Sequence, residues 1–130
     1  MILQTTLSLA AAAALITIWH MMRIGRLRMS EKVMHGDGGN AALMRRMRAQ
    51  ANFGENTPFV LILIAATELS GKGGVWLAVV GALFMLGRVI HALGMDRAEA
   101  NALRGIGTLL AMLSLLGLGV IAVLIALSRF

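Results

Sequence analysis

Residues Met1 to Met22 contain no Lys, Arg, Asp or Glu, and residues Gly105 to Ser128 contain none either. Each run is long enough to cross the hydrocarbon of a bilayer, which takes about 20 residues of α-helix. Two such runs within 130 residues leave little room for a soluble domain of ordinary make-up. The composition agrees, at 58% hydrophobic and 14% charged, where soluble chains average roughly 45–50% and about 25%. A chain this short cannot hide that excess, because a small domain leaves much of its surface exposed. These figures exclude a water-soluble enzyme and a disordered tail. With no cysteine, they also exclude a disulfide-stapled secreted module.

Four helices account for nearly every residue, with spans expected at about 2–22, 41–69, 75–95 and 98–128 in one all-α domain over 1–130. A cleaved signal peptide carries Lys or Arg ahead of its apolar run. Here Arg23, Arg26 and Arg28 follow the run, so it reads as a retained first helix. A polar connection, Gly25–Asn40, closes on the turn-forming Gly36-Asp37-Gly38-Gly39-Asn40. The second helix, stopped by Ser70-Gly71-Lys72-Gly73-Gly74, would be roughly 43 Å long and should project partly from the hydrocarbon. The short link Asp96–Ala100 leads into the fourth.

A net charge of +6 and a pI near 11.6 invite a nucleic-acid reading, but position overrules the total. Seven basic residues lie between Arg23 and Arg48, and Arg88, Arg97 and Arg104 flank the third connection. Only Lys72 and Arg129 fall on the other side. This is the positive-inside asymmetry, which places both termini outside and the basic loops in the cytoplasm. The absence of tyrosine and the scarcity of aromatics also leave little for bases to stack on. No nucleic-acid partner is expected.

The informative side chains are those a bilayer should exclude, since ionisable groups in membrane helices are costly and usually face a bundle interior or cavity. Arg45, Arg48, Asn52 and Glu55 recur at three, four and three residues, one stripe of the second helix. Arg88 and His91 lie near the basic end of the third helix, and Arg104 near the start of the fourth. All fall in the same third of the bundle, as a convergent polar pocket. Read more plainly, Glu55 neutralises Arg48 or Arg104 in a buried pair. Guanidiniums present planar forks suited to carboxylates, and a further Arg can hold a thiolate by lowering its pKa. A ligand with two carboxylates and one ammonium complements the set, and by charge alone so does a phosphate or a lipid headgroup.

Residues 48–58 read Arg-Ala-Gln-Ala-Asn-Phe-Gly-Glu-Asn-Thr-Pro. The pattern R-A-x-x-N-x-x-E-x-x-P on a second membrane helix resembles the signature of the MAPEG family, the membrane-associated proteins in eicosanoid and glutathione metabolism. The likeness extends to length, four-helix layout and orientation, and the short loops look like the bacterial branch. The resemblance implies a homotrimer in the bacterial inner membrane with periplasmic termini. It implies active sites between subunits near the cytoplasmic face, where glutathione binds as co-substrate and a lipophilic acceptor enters from lipid. By the same resemblance Arg48, Asn52, Glu55, Arg88 and His91 bind glutathione, and Arg104 is catalytic, stabilising the thiolate. Arg26, Arg28, Gln50 and Arg45 are further candidates. The implied activity is a detoxifying glutathione transferase or peroxidase.

The chain departs from the family in having no tyrosine. Asn56, Met95, Gly105 and Thr108 stand where members carry tyrosine or other polar groups, which argues against prostaglandin or leukotriene synthesis. Two alternatives follow: a non-catalytic lipid- or ligand-binding scaffold of the same fold, and a small cation–proton antiporter. The latter would want a carboxylate in the first span, which has none. Pro58 should free the carbonyl of Gly54 and invite a kink beside Glu55. Trp19 and Trp76 read as interface anchors, and Glu68 with Lys72 as a helix-end pair. Met95 and Met112 read as packing or as lining for a lipophilic acceptor. His20 and His35 read as interfacial or loop residues without a role, and no metal site is expected.

Overall fold

The computed structural model describes all 130 residues and contains four α-helices and no strand. They are α1 (Gln4–Glu31), α2 (Ala41–Leu69), α3 (Val75–Met95) and α4 (Ala102–Ala126). Three of them, α1, α3 and α4, are long and apolar enough to cross a membrane. The longest, α2, is not among these three, because Arg45, Arg46, Arg48 and Glu55 occupy its first half. Only 25 of 130 residues are buried, while Leu15, Phe59, Ile62, Leu116 and Val123 are each more than half exposed. That is the exterior of a protein whose solvent on its flanks is lipid.

Local chemistry sets the helix ends. Asn40 caps α2 by accepting the Leu43 N–H at 2.9 Å, and Asn101 caps α4 by accepting the Arg104 N–H at 3.2 Å. The cap at Asn101 starts α4 at Ala102 rather than at residue 98. After Leu69 the chain turns at Gly71 (φ +76°), and the Lys72 N–H returns to the Thr67 carbonyl at 3.1 Å. The first helix does not stop at Met22 but runs on to Glu31. Arginine, leucine and methionine are good helix formers, so Arg23 ends the apolar run without ending the helix. Pro58 sits within an unbroken α2, on its exposed side.

One carboxylate pins each end of the bundle. At the far end Glu68 accepts the Thr5 N–H at 2.9 Å, the Thr6 N–H at 2.7 Å and the Thr6 hydroxyl at 2.6 Å. Glu68 therefore does not pair with Lys72. The first N–H groups of α1 have no acceptor of their own and the N-terminal dipole favours an anion, so the carboxylate is better satisfied there. At the basic end Asp96 accepts a hydrogen bond from Arg23, approaches Arg46 at 4.0 Å, and offers its backbone carbonyl to Arg45 at 3.2 Å. Arg46 also donates to the Arg23 carbonyl at 2.7 Å.

Between these ends the helices close on small residues. A Cβ added at Gly107 of α4 would lie 2.5 Å from His91 Cβ and 2.7 Å from the Gly87 carbonyl oxygen of α3. One at Gly94 would lie 2.6 Å from the Arg104 nitrogen. Membrane helices gain their packing from such close approach, since lipid is as apolar as leucine. Leu9, Ala13, Phe53, Val60, Ile64, Leu77, Phe84, Met85, Ala111 and Leu118 fill the interior.

Candidate functional site

Helix α2 has two unlike faces. Ala49, Phe53, Thr57, Val60 and Ile64 are buried inside the bundle. On the other side Met44, Arg48, Glu55, Phe59, Ile62 and Leu69 recur at helical spacing, and all are exposed. No helix of the chain covers that stripe. Both ion pairs in the chain involve Asp96, so Glu55 pairs with neither Arg48 nor Arg104 within one subunit. Two opposite charges thus stand seven residues apart on an otherwise apolar strip of the exterior.

Asn52 lies between the two faces and is half-buried. Its side-chain oxygen accepts a hydrogen bond from Arg88 Nη1, while Arg88 Nη2 donates to the Gly107 carbonyl. Arg88 is only 2% exposed, and its guanidinium lies 5.5 Å from the centre of the Phe84 ring. One side chain of α3 thereby ties α2 to α4. His91, one turn further along, is buried against Gly107. Arg104 is half-buried in the first turn of α4, its backbone packed on Gly94.

The six residues singled out for glutathione and catalysis therefore divide. Asn52, Arg88 and His91 gather in the interior, Arg48 and Glu55 stand on the open stripe, and Arg104 opens α4. Of the further candidates, Arg45 is engaged with the Asp96 carbonyl. Arg28 braces the first connection, donating to the Gly36 carbonyl at 2.7 Å and the Val33 carbonyl at 3.5 Å. Arg26 is exposed and Gln50 half-buried. No group of acidic and histidine side chains converges in a way that would hold a metal ion.

Two polar residues lie in the interior that the sequence did not place there, and His20 is not the interfacial or loop residue it was expected to be. His20 is 1% exposed, its ring centre 5.1 Å from that of Trp19 and 5.6 Å from that of Phe53. Thr57 is 3% exposed, one turn from Phe53 on the buried face of α2. The signal was present in spacing. Leu9, Ala13, His20 and Ile24 lie four, seven and four residues apart, the period of a single helix face. A histidine on the inward face of a charge-free helix is buried by that arithmetic alone.

Comparison with known proteins bears on the whole chain. The family model for MAPEG matches residues 6–124. Curated relatives named "Inner membrane protein YecN", from Escherichia coli K12 and from a second Escherichia coli strain, are each 29% identical over 85 residues. The aligned stretch is 65% of this chain and 65% of each relative, so the chain spans just under two thirds of the proteins it matches. Three apolar helices long enough to cross a bilayer and an inner-membrane relative agree on an integral membrane protein. With the family model covering all four helices, the chain belongs to the MAPEG family.

Proposed function

We propose that the protein is a membrane-bound, glutathione-dependent transferase or peroxidase that works as a homotrimer. The observation that carries this reading is the uncovered stripe of α2. Arg48 and Glu55 project from an apolar helix surface with no partner in their own subunit. Charges facing lipid are costly, and a neighbouring copy laid over the stripe removes that cost. The cleft so formed has the groups glutathione needs. Arg48 offers a fork to a carboxylate, Glu55 takes the ammonium, and Asn52 is held in place behind them by Arg88. Arg104 is the cation for the sulfur, favouring thiolate over thiol and so supplying the nucleophile at neutral pH. The basic end of the bundle is the cytoplasmic one on this reading, and both termini are periplasmic.

Two reactions suit such a site. In transfer, the thiolate sulfur forms a bond to an electrophilic carbon and a leaving group departs with the bond pair. In peroxidase chemistry, the thiolate attacks the terminal oxygen of a lipid hydroperoxide. The O–O bond breaks and a proton completes the alcohol. A second glutathione then reduces the sulfenic acid to disulfide and water. Acceptors in either case are lipophilic and arrive from the bilayer.

Purified protein in detergent should turn over a chlorodinitrobenzene with glutathione. Arg104→Ala should lower that rate at least about tenfold, the effect of one pKa unit on the thiolate population. A folded trimer with neither turnover nor glutathione binding refutes the proposal. A specific observation favours a second reading, a non-catalytic lipid-binding scaffold of this fold. Both terminal nitrogens of Arg88 are spent on Asn52 and Gly107, and the chain has no tyrosine hydroxyl to replace them. Under that reading lipid copurifies with the trimer and glutathione does not bind.

A further inference from the structure

Three arginines meet one acid where α1 leaves its apolar run. Asp96, the residue that follows α3, accepts a hydrogen bond from Arg23 and lies 4.0 Å from Arg46 Nε. Its backbone carbonyl accepts from Arg45 Nε at 3.2 Å, and Arg46 Nη1 donates to the Arg23 carbonyl at 2.7 Å. Side chains of α1 and α2 thus converge on the link between α3 and α4. Three guanidiniums against one carboxylate leave the cluster with a net charge of +2.

The donors of the cluster are not used up. Neither terminal nitrogen of Arg45 has a hydrogen-bond partner in the chain, and only one of Arg46 does. The cluster is also open, with the Arg46 and Asp96 side chains 31% and 37% exposed. A guanidinium whose terminal N–H groups are free presents a planar fork that fits two phosphate oxygens. Its height in the bundle is fixed as well. Arg23 is the first charge after the apolar run, and its guanidinium lies 4.6 Å from the centre of the Trp19 ring. Tryptophan concentrates at the headgroup level of a bilayer. Ile18, Met21 and Met22, the adjoining turn of α1, are each at least half exposed and offer apolar surface to acyl chains. The surplus charge therefore stands at the depth of the lipid phosphates, where basic side chains attract anionic lipid.

We infer that the cluster of Arg23, Arg45 and Arg46 around Asp96 binds the phosphate headgroup of an acidic phospholipid. Arg45 and Arg46 hold the phosphate with the terminal nitrogens left open, Arg23 occupies Asp96, and the acyl chains lie along α1. The site uses none of the residues of the open stripe and stands whether or not glutathione binds. Selectivity for an acidic headgroup separates it from the scaffold reading, which asks only that lipid copurify.

The test titrates the full-length protein, in a non-ionic detergent, with phosphatidylglycerol and with phosphatidylcholine of the same chains. Native mass spectrometry counts the lipid bound. Phosphatidylglycerol should bind more tightly, and Arg46→Gln should weaken it about fivefold, the weight of one basic residue at an anionic surface. Asp96→Asn should tighten it, because the competing carboxylate is gone. Lys32→Gln removes the same charge about 13 Å further along α1, beyond the screening length of about 8 Å at physiological salt, and should change the affinity less than about twofold. Equal affinity for the two lipids would overturn the inference. Equal losses in Arg46→Gln and Lys32→Gln would do the same, since they assign the effect to net charge. Weaker binding in Asp96→Asn would refute the role of the cluster. Inorganic phosphate that displaces phosphatidylglycerol at equal concentration would assign the site to the free ion and overturn the lipid headgroup.

Discussion

Replacing Gly107 with alanine tests the closest joint of the bundle. In isolation Gly→Ala within a helix is favourable by about 0.5–1 kcal/mol. At Gly107 the new Cβ would lie 2.5 Å from His91 Cβ, 2.7 Å from the Gly87 carbonyl oxygen and 2.8 Å from His91 Cα. Contacts between carbons settle near 3.5–4.0 Å, so α3 and α4 must separate by about 1 Å. Overpacking of this kind costs about 1–3 kcal/mol. The separation also pulls the Gly107 carbonyl from Arg88, a bond to a charged donor that is worth about 1.5–3 kcal/mol. A Cβ at Gly117 of the same helix would have nothing within 4 Å, so Gly117→Ala meets open space. The two variants should differ by about 3 kcal/mol or more, with Gly107→Ala unfolding roughly 10 °C lower in a thermal scan. Gly107→Ala should also weaken glutathione binding, since Asn52 loses a rigid Arg88. Equal midpoints for the two variants would refute the account of how α3 and α4 are joined.

Glu68→Ala should destabilise by about 1–3 kcal/mol, read as a lower thermal midpoint, because the Thr5 and Thr6 N–H groups lose their acceptor. Lys72→Ala, by contrast, should change little. Asp96→Asn should cost less than about 1 kcal/mol, since the side chain is 37% exposed and its pairs are partly solvated. The loss should fade further in high salt, and chemical denaturation at two ionic strengths checks this. Arg88→Lys keeps the charge but loses the fork that joins Asn52 to Gly107. It should raise the dissociation constant for glutathione severalfold while leaving the charge of the bundle unchanged, as an isotherm would show.

Much of the fold was legible in the sequence because it rests on patterns with a strong physical cause. Charge-free runs give membrane helices, and Ser70-Gly71-Lys72-Gly73-Gly74 gives the stop of α2. The cap at Asn101, which starts α4 at Ala102, was not read. The end of α1 was not legible, because Arg23 marks where hydrocarbon stops and helix propensity continues through Arg28 to Glu31. Glu68 was misassigned for a related reason. Lys72 is its neighbour in sequence, but the free N–H groups of α1 are its neighbours in space, brought there by a helix packed antiparallel. The sequence groups Arg48, Asn52, Glu55, Arg88, His91 and Arg104 in one third of the bundle. Their division was not legible. Which face of α2 remains open depends on where α1, α3 and α4 pack, and a one-helix spacing rule cannot say that. Arg88 illustrates the difference: its position suggests a ligand contact, and its bonds make it a strut between helices.

The central claim is that the open stripe of α2 becomes a glutathione site between copies. An isotherm of glutathione with the purified oligomer tests it most directly, run alongside Arg48→Ala and Glu55→Ala. Saturable binding near one glutathione per subunit, weakened in both variants while each still assembles, is the predicted result. Absence of binding in a folded oligomer, or binding that both variants retain unchanged, would contradict it.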